Sequence, residues 1–392
     1  MSIQDLLGIS PIVNAAGPVT RLSGALMADE VIEAMAEAGK ACYDIASMQA
    51  AAGRVIAEVT GAEGGYVTSG ASAGLLLGVA ACVTGLDPGK MNRLPDTRGM
   101  KNQVIIARSH RNFYDHAIRS VGIRLIEVGI SDRYSGAGVR DTEAWEIADA
   151  ISERTAAIAY VANSNARPSL AEVTRVAHER NIPVVVDAAG QLPPSSNLKR
   201  FISEGADLVC FSGGKVIGGP QGAGILCGRR DLISSAALQH LDQDVLFELW
   251  SPPEGLIDKS ALPGAPQHGI GRPCKVGKEQ IAGLVMALRR FVDEDEDARR
   301  KRWADTVDAI VDSLRGLDGL EVSVSDGGAI PSVHVKMATL DGLTATRQLN
   351  ANDPSVHVNA SRVYEDILVL NPVCLRDGDV SVLADAFKAL LS

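Results

Sequence analysis

The chain has 392 residues, of which 46% are hydrophobic, and its formal net charge is −10 at pH 7. This length predicts two domains, and the acidic balance argues against a general nucleic-acid binder, whose surface would be basic. Residues 1–17 lack the features of a secretory signal, and no apolar run reaches the length of a membrane span. Six scattered cysteines without a C-x-x-C pair predict buried, reduced thiols. We therefore expect a soluble, cytoplasmic protein.

From about residue 55 to residue 227, short apolar runs alternate with helical segments. The predicted strands, in chain order, are GGYVTSG, NQVIIAR, IRLIEVG, TAAIAYVAN, IPVVVDAAG and DLVCFSG. The predicted helices are ASAGLLLGVAACVTG, TEAWEIADAIS, LAEVTRVAHERN and NLKRFISEGA. Near-continuous apolar strands are typical of a sheet covered on both faces, so this alternation predicts a doubly wound, mostly parallel α/β sheet.

The pattern changes near residue 275, where a long helical stretch covers residues 276–317. LEVSVS, SVHVKM and DILVLNP then alternate like antiparallel strands, and DVSVLADAFKALLS closes the chain as a helix. We predict an N-terminal arm and helix (1–50), a large domain (51–274) and a small α+β domain (275–392). In the run DEDEDARRKR, Asp295 and Arg299 stand four residues apart, which supports a helix with a solvated charged face.

Polar residues follow the predicted strands at the edge where parallel sheets bind ligands. The stretch SGASA (residues 69–73) follows GGYVT and opens a helix, so its amide groups can hold a phosphate. His110 follows NQVIIAR, and Asp187 ends IPVVVD. Lys215 follows DLVCF inside the glycine-rich stretch CFSGGKVIGGPQGAG.

A phosphate cradle, a carboxylate, a flat ring and a lysine together indicate a pyridoxal-phosphate site. The lysine joins such a cofactor as a Schiff base and moves the proton at the substrate Cα. A carboxylate such as Asp187 keeps the pyridine nitrogen protonated, and an imidazole such as that of His110 stacks on the ring. The glycines around Lys215 are expected to keep side chains away from the cofactor.

Two other motifs compete with this interpretation. GASAG (residues 70–74) matches the G-x-S-x-G motif of α/β-hydrolases, and Asp187 and His268 follow it in the order of a Ser-Asp-His triad. No HGGG-type segment precedes it, however, and it leaves Lys215 unexplained. A P-loop interpretation of SGGKV fails because Val209 and Val216 stand where glycine and Ser/Thr are required.

Five stretches carry a resemblance to a known family. They are IVNAAGPVTRLSG, MQAAAGRVIAEVTGAEGGYVTSGASAGLLL, VVVDAAGQLPP, DLVCFSGGKVIGGPQGAG and HGIGRPCKVGKEQIAGLVMAL. In this order they resemble the fold-type I pyridoxal-phosphate enzymes related to bacterial selenocysteine synthase (L-seryl-tRNA selenium transferase) and D-glucosaminate-6-phosphate ammonia-lyase. The resemblance covers nearly the whole chain and implies the aspartate aminotransferase-like fold, with the active site at a homodimer interface.

The resemblance also implies roles for individual residues. Lys215 matches the Schiff-base lysine and Asp187 the partner of the pyridine nitrogen, while His110 matches the residue stacked on the ring, with Tyr114 and His116 as alternatives. The further cofactor contacts that it implies are Ser69, Gly70, Ala71, Ala189, Ser212 and, from HGIGR of the neighbouring subunit, Gly269. The candidates for the substrate carboxylate are Arg272 and Arg362, and those for a substrate phosphate are Arg21, Arg272 and Lys275.

The function that the resemblance implies is a lyase acting on a small free amino acid. It would carry out α,β-elimination of a β-hydroxy or sugar-derived amino acid to a 2-oxo acid and ammonia. Racemisation or retro-aldol cleavage uses the same Cα carbanion and stays open. A tRNA-acting transferase is disfavoured because selenocysteine synthases carry an extra N-terminal segment, whereas this acidic chain begins almost directly at LLGISPIVNAAG. A non-catalytic metabolite-binding protein would leave the combination of Lys215 and Asp187 unexplained.

Overall fold

The computed structural model describes residues 2–130 and 141–391. It divides the chain into two compact units: Met27–Arg290 forms the larger, and Met1–Leu26 with Phe291–Ser392 forms the smaller. The sequence predicts boundaries after residues 50 and 274, whereas contacts in the structure group the first 26 residues with the C-terminal unit. Within the described ranges, no helix is both long and apolar enough to cross a bilayer.

The described residues contain twelve strands and fourteen α-helices. The strands are β1 Val13–Ala15, β2 Gly64–Thr68, β3 Gln103–Ala107, β4 Arg124–Val128, β5 Thr155–Val161, β6 Val184–Asp187, β7 Leu208–Ser212, β8 Gly224–Gly228, β9 Leu320–Ser325, β10 Ser332–Met337, β11 Val356–Val358 and β12 Ile367–Leu370. The helices are α1 Ile3–Leu7, α2 Asp29–Gly39, α3 Ile45–Thr60, α4 Gly70–Thr84, α5 Pro88–Arg93, α6 Asp115–Arg119, α7 Ala144–Ala150, α8 Leu170–His178, α9 Asn197–Ser203, α10 Arg230–His240, α11 Lys278–Asp293, α12 Glu296–Leu314, α13 Gly342–Ala351 and α14 Asp379–Leu391.

A seven-stranded sheet lies at the centre of the larger unit, with strand order β2-β8-β7-β6-β5-β3-β4. Each neighbouring pair from β7 to β4 is parallel, and β8 is antiparallel to both β2 and β7. The predicted mostly parallel sheet is thus confirmed. Strand β8 was not predicted, because glycines frame its short apolar run and it follows β7 without an intervening helix.

Helix α4 is buried along most of its length, as the apolar run AGLLLGVAACVTG predicts. Its glycines allow close packing on the sheet. A Cβ atom added at Gly74 would lie 3.1 Å from Cys210 Sγ, and one added at Gly78 would lie 3.2 Å from Leu208 Cδ1. Because the two glycines add no side chain of their own, α4 packs directly against the side chains of β7.

The smaller unit contains a three-stranded antiparallel sheet, β12-β10-β9, as the sequence predicts. A separate parallel pair joins β1 to β11, with Asn14 opposite His357. This pairing was not predicted, since more than 300 residues separate the two short strands in the chain. It explains why the N-terminal segment belongs to the smaller unit.

The charged run forms the predicted helix and most of its charged side chains are exposed, but Arg299 departs from the prediction. Asp295 caps the helix by accepting a hydrogen bond from Ala298 N–H (2.8 Å). Arg299 is only 2% exposed, pairs with Glu294 (2.7 Å) and stacks over the ring of Phe291. The predicted pair between Asp295 and Arg299 is wrong. The Asp295 carboxylate caps the helix instead, and the buried Arg299 is neutralised by Glu294.

All six cysteines are free thiols, and Cys210, Cys227 and Cys374 are buried. Burial raises the pKa of Cys227 and of Cys374 to about 12, so both stay protonated and unreactive at neutral pH. Cys42 differs from the expectation of burial, since it is exposed.

Candidate active site

The carboxyl edge of the large sheet carries the polar residues that the sequence singled out. Asp187 is the last residue of β6 and Ser212 the last residue of β7, and the two strands are adjacent and parallel. Lys215 lies in the loop between β7 and β8, three residues beyond Ser212. Lys215 Nζ lies near Gly190, three residues beyond the end of β6. A Cβ atom added at Gly190 would be 3.8 Å from this nitrogen, so the amine is directed toward β6.

Asp187 is a largely buried carboxylate. The Ala189 N–H donates a hydrogen bond to Asp187 Oδ1 (3.0 Å) and holds the side chain in one orientation. Burial raises the pKa of Asp187, and the Ala189 hydrogen bond and the positive charge of Lys215 only partly oppose this. A cation placed against this carboxylate would relieve the penalty of burying its charge.

The glycines around Lys215 are required by contacts within the protein. A Cβ atom added at Gly213 would lie 2.4 Å from Leu284 Cδ1, and one added at Gly214 would lie 2.5 Å from Gln221 Cα. The Gly218 N–H donates to the Lys215 carbonyl (2.9 Å), which closes a turn directly after the lysine. The sequence predicts that these glycines keep side chains away from a cofactor. In the structure, close packing against Leu284 and Gln221 already explains why glycine is required at both positions. This packing also fixes the position of Lys215.

The turn at Ser69, Gly70 and Ala71 joins β2 to α4 and leaves the helix N-terminus open. Gly70 has φ +84°, a left-handed conformation, and an added Cβ atom would have no atom within 4 Å. The first residue of β8 packs closely against this turn, since a Cβ atom added at Gly224 would lie 2.4 Å from the Gly70 carbonyl carbon. No side chain caps α4, so its first amide groups are available to an anion.

The Ser69 hydroxyl belongs to a buried network that the sequence did not reveal. Ser69 Oγ donates to the Cys274 carbonyl (2.9 Å), and His240 Nε2 donates to the same oxygen (2.8 Å). Since Nε2 carries the hydrogen and burial lowers the pKa of His240, the ring is neutral and Nδ1 accepts from Tyr66 O–H (2.8 Å). No motif marks this network, because 174 residues separate Tyr66 from His240. It anchors the 271–274 segment to the 69–71 turn.

Replacing Tyr66 with Phe tests this network. The hydroxyl is lost while His240 Nδ1 stays buried as an acceptor without a donor, so we expect the free energy of unfolding to fall by about 1–3 kcal/mol. Urea denaturation measures the difference. Tyr364→Phe serves as the control, because that side chain is 90% exposed and should unfold as the wild type does. Equal stability of the two variants would contradict the assignment.

His110 is buried just beyond β3, and its ring packs edge-to-face on Tyr160 at 4.7 Å between centroids. The Val161 N–H donates to His110 Nδ1 (3.3 Å), which places the proton of the neutral ring on Nε2. His110, Asp187 and Tyr114 line one small cavity, so the structure brings together the predicted ring and the predicted carboxylate. Tyr114 is 59% exposed, and His116, the other alternative, is exposed as well.

Two of the remaining predicted residues, Arg272 and Arg362, already have charged partners. Arg272 pairs with Asp242 (2.5 Å) in the larger unit, and Arg362 pairs with Glu365 (2.5 Å) in the smaller unit. Gly269 is packed tightly, since an added Cβ atom would lie 2.3 Å from Gln239 Cα. Lys275 is exposed. Substrate or cofactor roles for these residues remain predictions.

A hydrolase triad is not assembled. His268 lies 3.3 Å from Asp244 and is not paired with Asp187, the acid that the Ser-Asp-His order requires. Ser72, the serine of the motif, lies in the first turn of α4. The G-x-S-x-G match therefore reflects small residues needed for packing and for the turn.

The mostly parallel sheet, with Lys215, Asp187 and an open helix N-terminus at one edge, defines the class of fold-type I pyridoxal-phosphate enzymes. A solved structure of D-glucosaminate-6-phosphate ammonia-lyase matches with a TM-score of 0.82 and 26% identity, covering 100% of this chain and 98% of that one. The family model for SelA, L-seryl-tRNA selenium transferase, matches residues 12–245. The chain belongs to this family and is an enzyme.

Two relatives match over almost their full lengths. A 5'-C-glycyluridine monooxygenase-decarboxylase from Streptomyces sp is 30% identical, over 98% of this chain and 91% of the relative. A D-glucosaminate-6-phosphate ammonia lyase from Salmonella typhimurium is 28% identical, over 99% of this chain and 98% of the relative. Their names describe different reactions, so family membership alone does not specify which reaction this chain performs.

Proposed function

We propose that the chain is a pyridoxal-phosphate-dependent lyase that removes ammonia from a small free amino acid by α,β-elimination. The substrate would be a β-hydroxy or sugar-derived amino acid, and the products a 2-oxo acid and ammonia. The observation that carries this proposal is the placement of Lys215, just beyond the end of β7, beside the largely buried carboxylate of Asp187, at the end of the adjacent strand β6. The similarity to D-glucosaminate-6-phosphate ammonia lyase over the whole chain supports the reaction type.

The residues present fit pyridoxal phosphate. Its phosphate suits the open turn at residues 69–71, where Gly70 leaves free space and α4 presents unpaired amide groups. Its protonated pyridine nitrogen suits Asp187, whose burial makes a cationic partner favourable. His110 and Ala189 would hold the two faces of the ring, and Ser212 the phosphate. When bound, the cofactor withdraws electrons from the substrate Cα and so makes its proton acidic.

The chain's own groups would then move protons. The Lys215 amine takes the proton from the substrate Cα and is the group that exchanges with the substrate amine. Tyr114, which lines the same cavity as His110, is available to protonate the hydroxyl that leaves Cβ as water. Addition of one water to the resulting unsaturated amine releases the 2-oxo acid and ammonia, so atoms balance. Racemisation and retro-aldol cleavage use the same first step and remain alternatives.

A second candidate is oxidative decarboxylation of an amino acid linked to a nucleoside. The relative named 5'-C-glycyluridine monooxygenase-decarboxylase supports it, since it matches the chain at 30% identity over nearly its whole length. Both candidates need a lysine and a buried carboxylate around the cofactor. They differ in their products: the first releases a 2-oxo acid and ammonia without O₂, while the second consumes O₂ and releases CO₂.

We also propose a cytoplasmic homodimer without nucleic-acid or membrane partners. Large apolar side chains stay in solvent in the larger unit: Leu246 is 68% exposed, Leu249 73% and Phe113 96%. Leu246 and Leu249 lie one turn apart, since the Leu249 N–H donates to the Leu246 carbonyl (2.9 Å), and a contiguous exposed apolar patch is typical of an interaction surface. The net charge of −10 supports the exclusion of tRNA. Light scattering at several protein concentrations measures the oligomer directly.

The test begins with the purified protein and added pyridoxal phosphate. We expect a visible absorption band that borohydride abolishes, with the pyridoxyl group mapped to the peptide that contains Lys215. D- and L-amino acids with β-hydroxy or sugar-derived side chains, and glycyl nucleosides, are then screened for ammonia, 2-oxo acid, CO₂ and O₂ uptake. Ammonia release without O₂ supports the lyase, and O₂-dependent CO₂ release supports the decarboxylase. A protein that takes up no cofactor would overturn both.

A further inference from the structure

The smaller unit contains a cavity of about 510 Å³ whose lining includes none of the residues assigned above to the cofactor or to proton transfer. Its walls come from the N-terminal segment, from β11 and from the loop before α14. Three basic side chains line it, those of Arg21, His357 and Arg376, and its lining includes no Asp or Glu among the described residues. The rest of the wall is largely apolar, with Ile9, Ile12 and Leu22 among its members.

Arg21 supplies the uncompensated charge in this cavity. Arg376 is neutralised by Asp379, to which it donates two hydrogen bonds (3.1 and 3.2 Å). Arg21, by contrast, has no ion pair or hydrogen bond from its side chain to any residue in the described parts of the chain. The Arg21 side chain is exposed, and its guanidinium group offers up to five donors to a carboxylate or a phosphate.

His357 offers a second polar group whose tautomer the neighbours fix. The Ser355 hydroxyl donates its one hydrogen to the Asn350 carbonyl (2.7 Å), so Ser355 Oγ accepts from His357 Nε2–H (3.0 Å). His357 Nδ1 is buried and has no partner among the described residues. Burial and the nearby charge of Arg21 both lower the pKa of His357, and an anion between them would relieve that repulsion.

We propose that this cavity binds the anionic group, a carboxylate or a phosphate, of a small molecule whose apolar part lies against the isoleucine and leucine side chains. Arg21 provides the charge, and an anion beside it makes protonation of the neighbouring His357 more favourable. Asn14 also lines the cavity, but its side chain already has hydrogen-bond partners: Asn14 Oδ1 accepts from the Ala16 N–H, and Asn14 Nδ2 donates to the Gly17 carbonyl. All of the residues that line the cavity belong to the smaller unit.

The experiment uses the full chain saturated with pyridoxal phosphate, so that the turn at residues 69–71 is occupied. Inorganic phosphate and, separately, sodium acetate are titrated by calorimetry, with the ring nitrogen signals of His357 followed by NMR. We expect saturable binding of at least one anion, a shift of the His357 signals, and about tenfold weaker binding in Arg21→Gln. The anion that binds more tightly identifies the class of ligand.

Arg347→Gln is the matched control, since Arg347 is an exposed arginine of the same unit that does not line the cavity. It should bind phosphate and acetate as the wild type does, and circular dichroism should show both variants folded. Equal weakening in the two variants would mean nonspecific charge attraction and would overturn the proposal. So would titrations in which neither anion moves the His357 signals. The result does not depend on whether the enzyme turns over any amino acid.

Discussion

Replacing Lys215 with Ala should reduce turnover by about 10⁴-fold or more and abolish borohydride-stable attachment of pyridoxal phosphate. Lys215 is the only proposed group that both joins the cofactor and takes the Cα proton. Its position is rigid, because Gly213 and Gly214 fit closely against Leu284 and Gln221 and leave no room for the loop to shift. No neighbouring lysine is therefore expected to replace it. Turnover and peptide mapping after borohydride reduction measure the two effects.

The control for this experiment is Lys199→Ala. Lys199 is exposed on α9, on a surface helix of the same unit, and its loss should change neither turnover nor cofactor attachment. Adding a primary amine to Lys215→Ala should restore part of the lost activity, because a free amine can enter the space vacated by the side chain. Full activity of Lys215→Ala without added amine would refute the proposed role of the lysine.

Local sequence patterns predicted much of the sheet and the main candidate residues. Apolar runs such as the one at β6 indicated buried strands, and residues that end such strands meet at one edge of a parallel sheet. This rule alone brought Asp187 and Lys215 to the same edge. The glycine-rich run before β8 was recognised as unusual, although its packing role against Leu284 depends on a helix about 70 residues later.

The features that escaped prediction depend on contacts between distant parts of the chain. The pairing of β1 with β11 and the bond from Tyr66 to His240 join segments whose local patterns carry no sign of each other. Arg299 was misassigned for a related reason: helical spacing predicts surface pairs, but this side chain is buried against Phe291. Local periodicity predicts which face of an element is apolar, whereas partners across the fold are set by topology.

Asp187→Asn should have opposite effects on activity and on stability. Asn keeps the shape of Asp and can still accept the hydrogen bond from Ala189 N–H, but it carries no charge. Without the carboxylate the pyridine nitrogen loses the partner that keeps it protonated, so we expect turnover to fall by about 10²–10⁴-fold. The cofactor-free variant should nevertheless be more stable than the cofactor-free wild type at pH 8.

The stability gain follows from the direction of the pKa shift. Burial raises the pKa of Asp187 above its unfolded value, so folding is opposed by the ionised carboxylate at pH values above the folded pKa. The stability associated with the protonated form is fully present below the unfolded pKa and is lost as the pH rises through the folded pKa. The advantage of Asp187→Asn should therefore be largest at pH 8 and should shrink as the pH falls toward the ordinary aspartate range.

Asp207→Asn provides a matched comparison with the opposite expected sign. Asp207 is also buried, but it is paired with Arg229 (3.1 Å) and His178 (2.9 Å) and accepts from Val184 N–H (2.8 Å). Removing its charge leaves those donors with a weaker partner, so this variant should be less stable than the wild type. Urea unfolding of the three cofactor-free proteins at pH 8 and pH 5 measures the effect. If Asp187→Asn were destabilised at pH 8 as Asp207→Asn is, the carboxylate at the end of β6 would serve the fold rather than a cationic ligand.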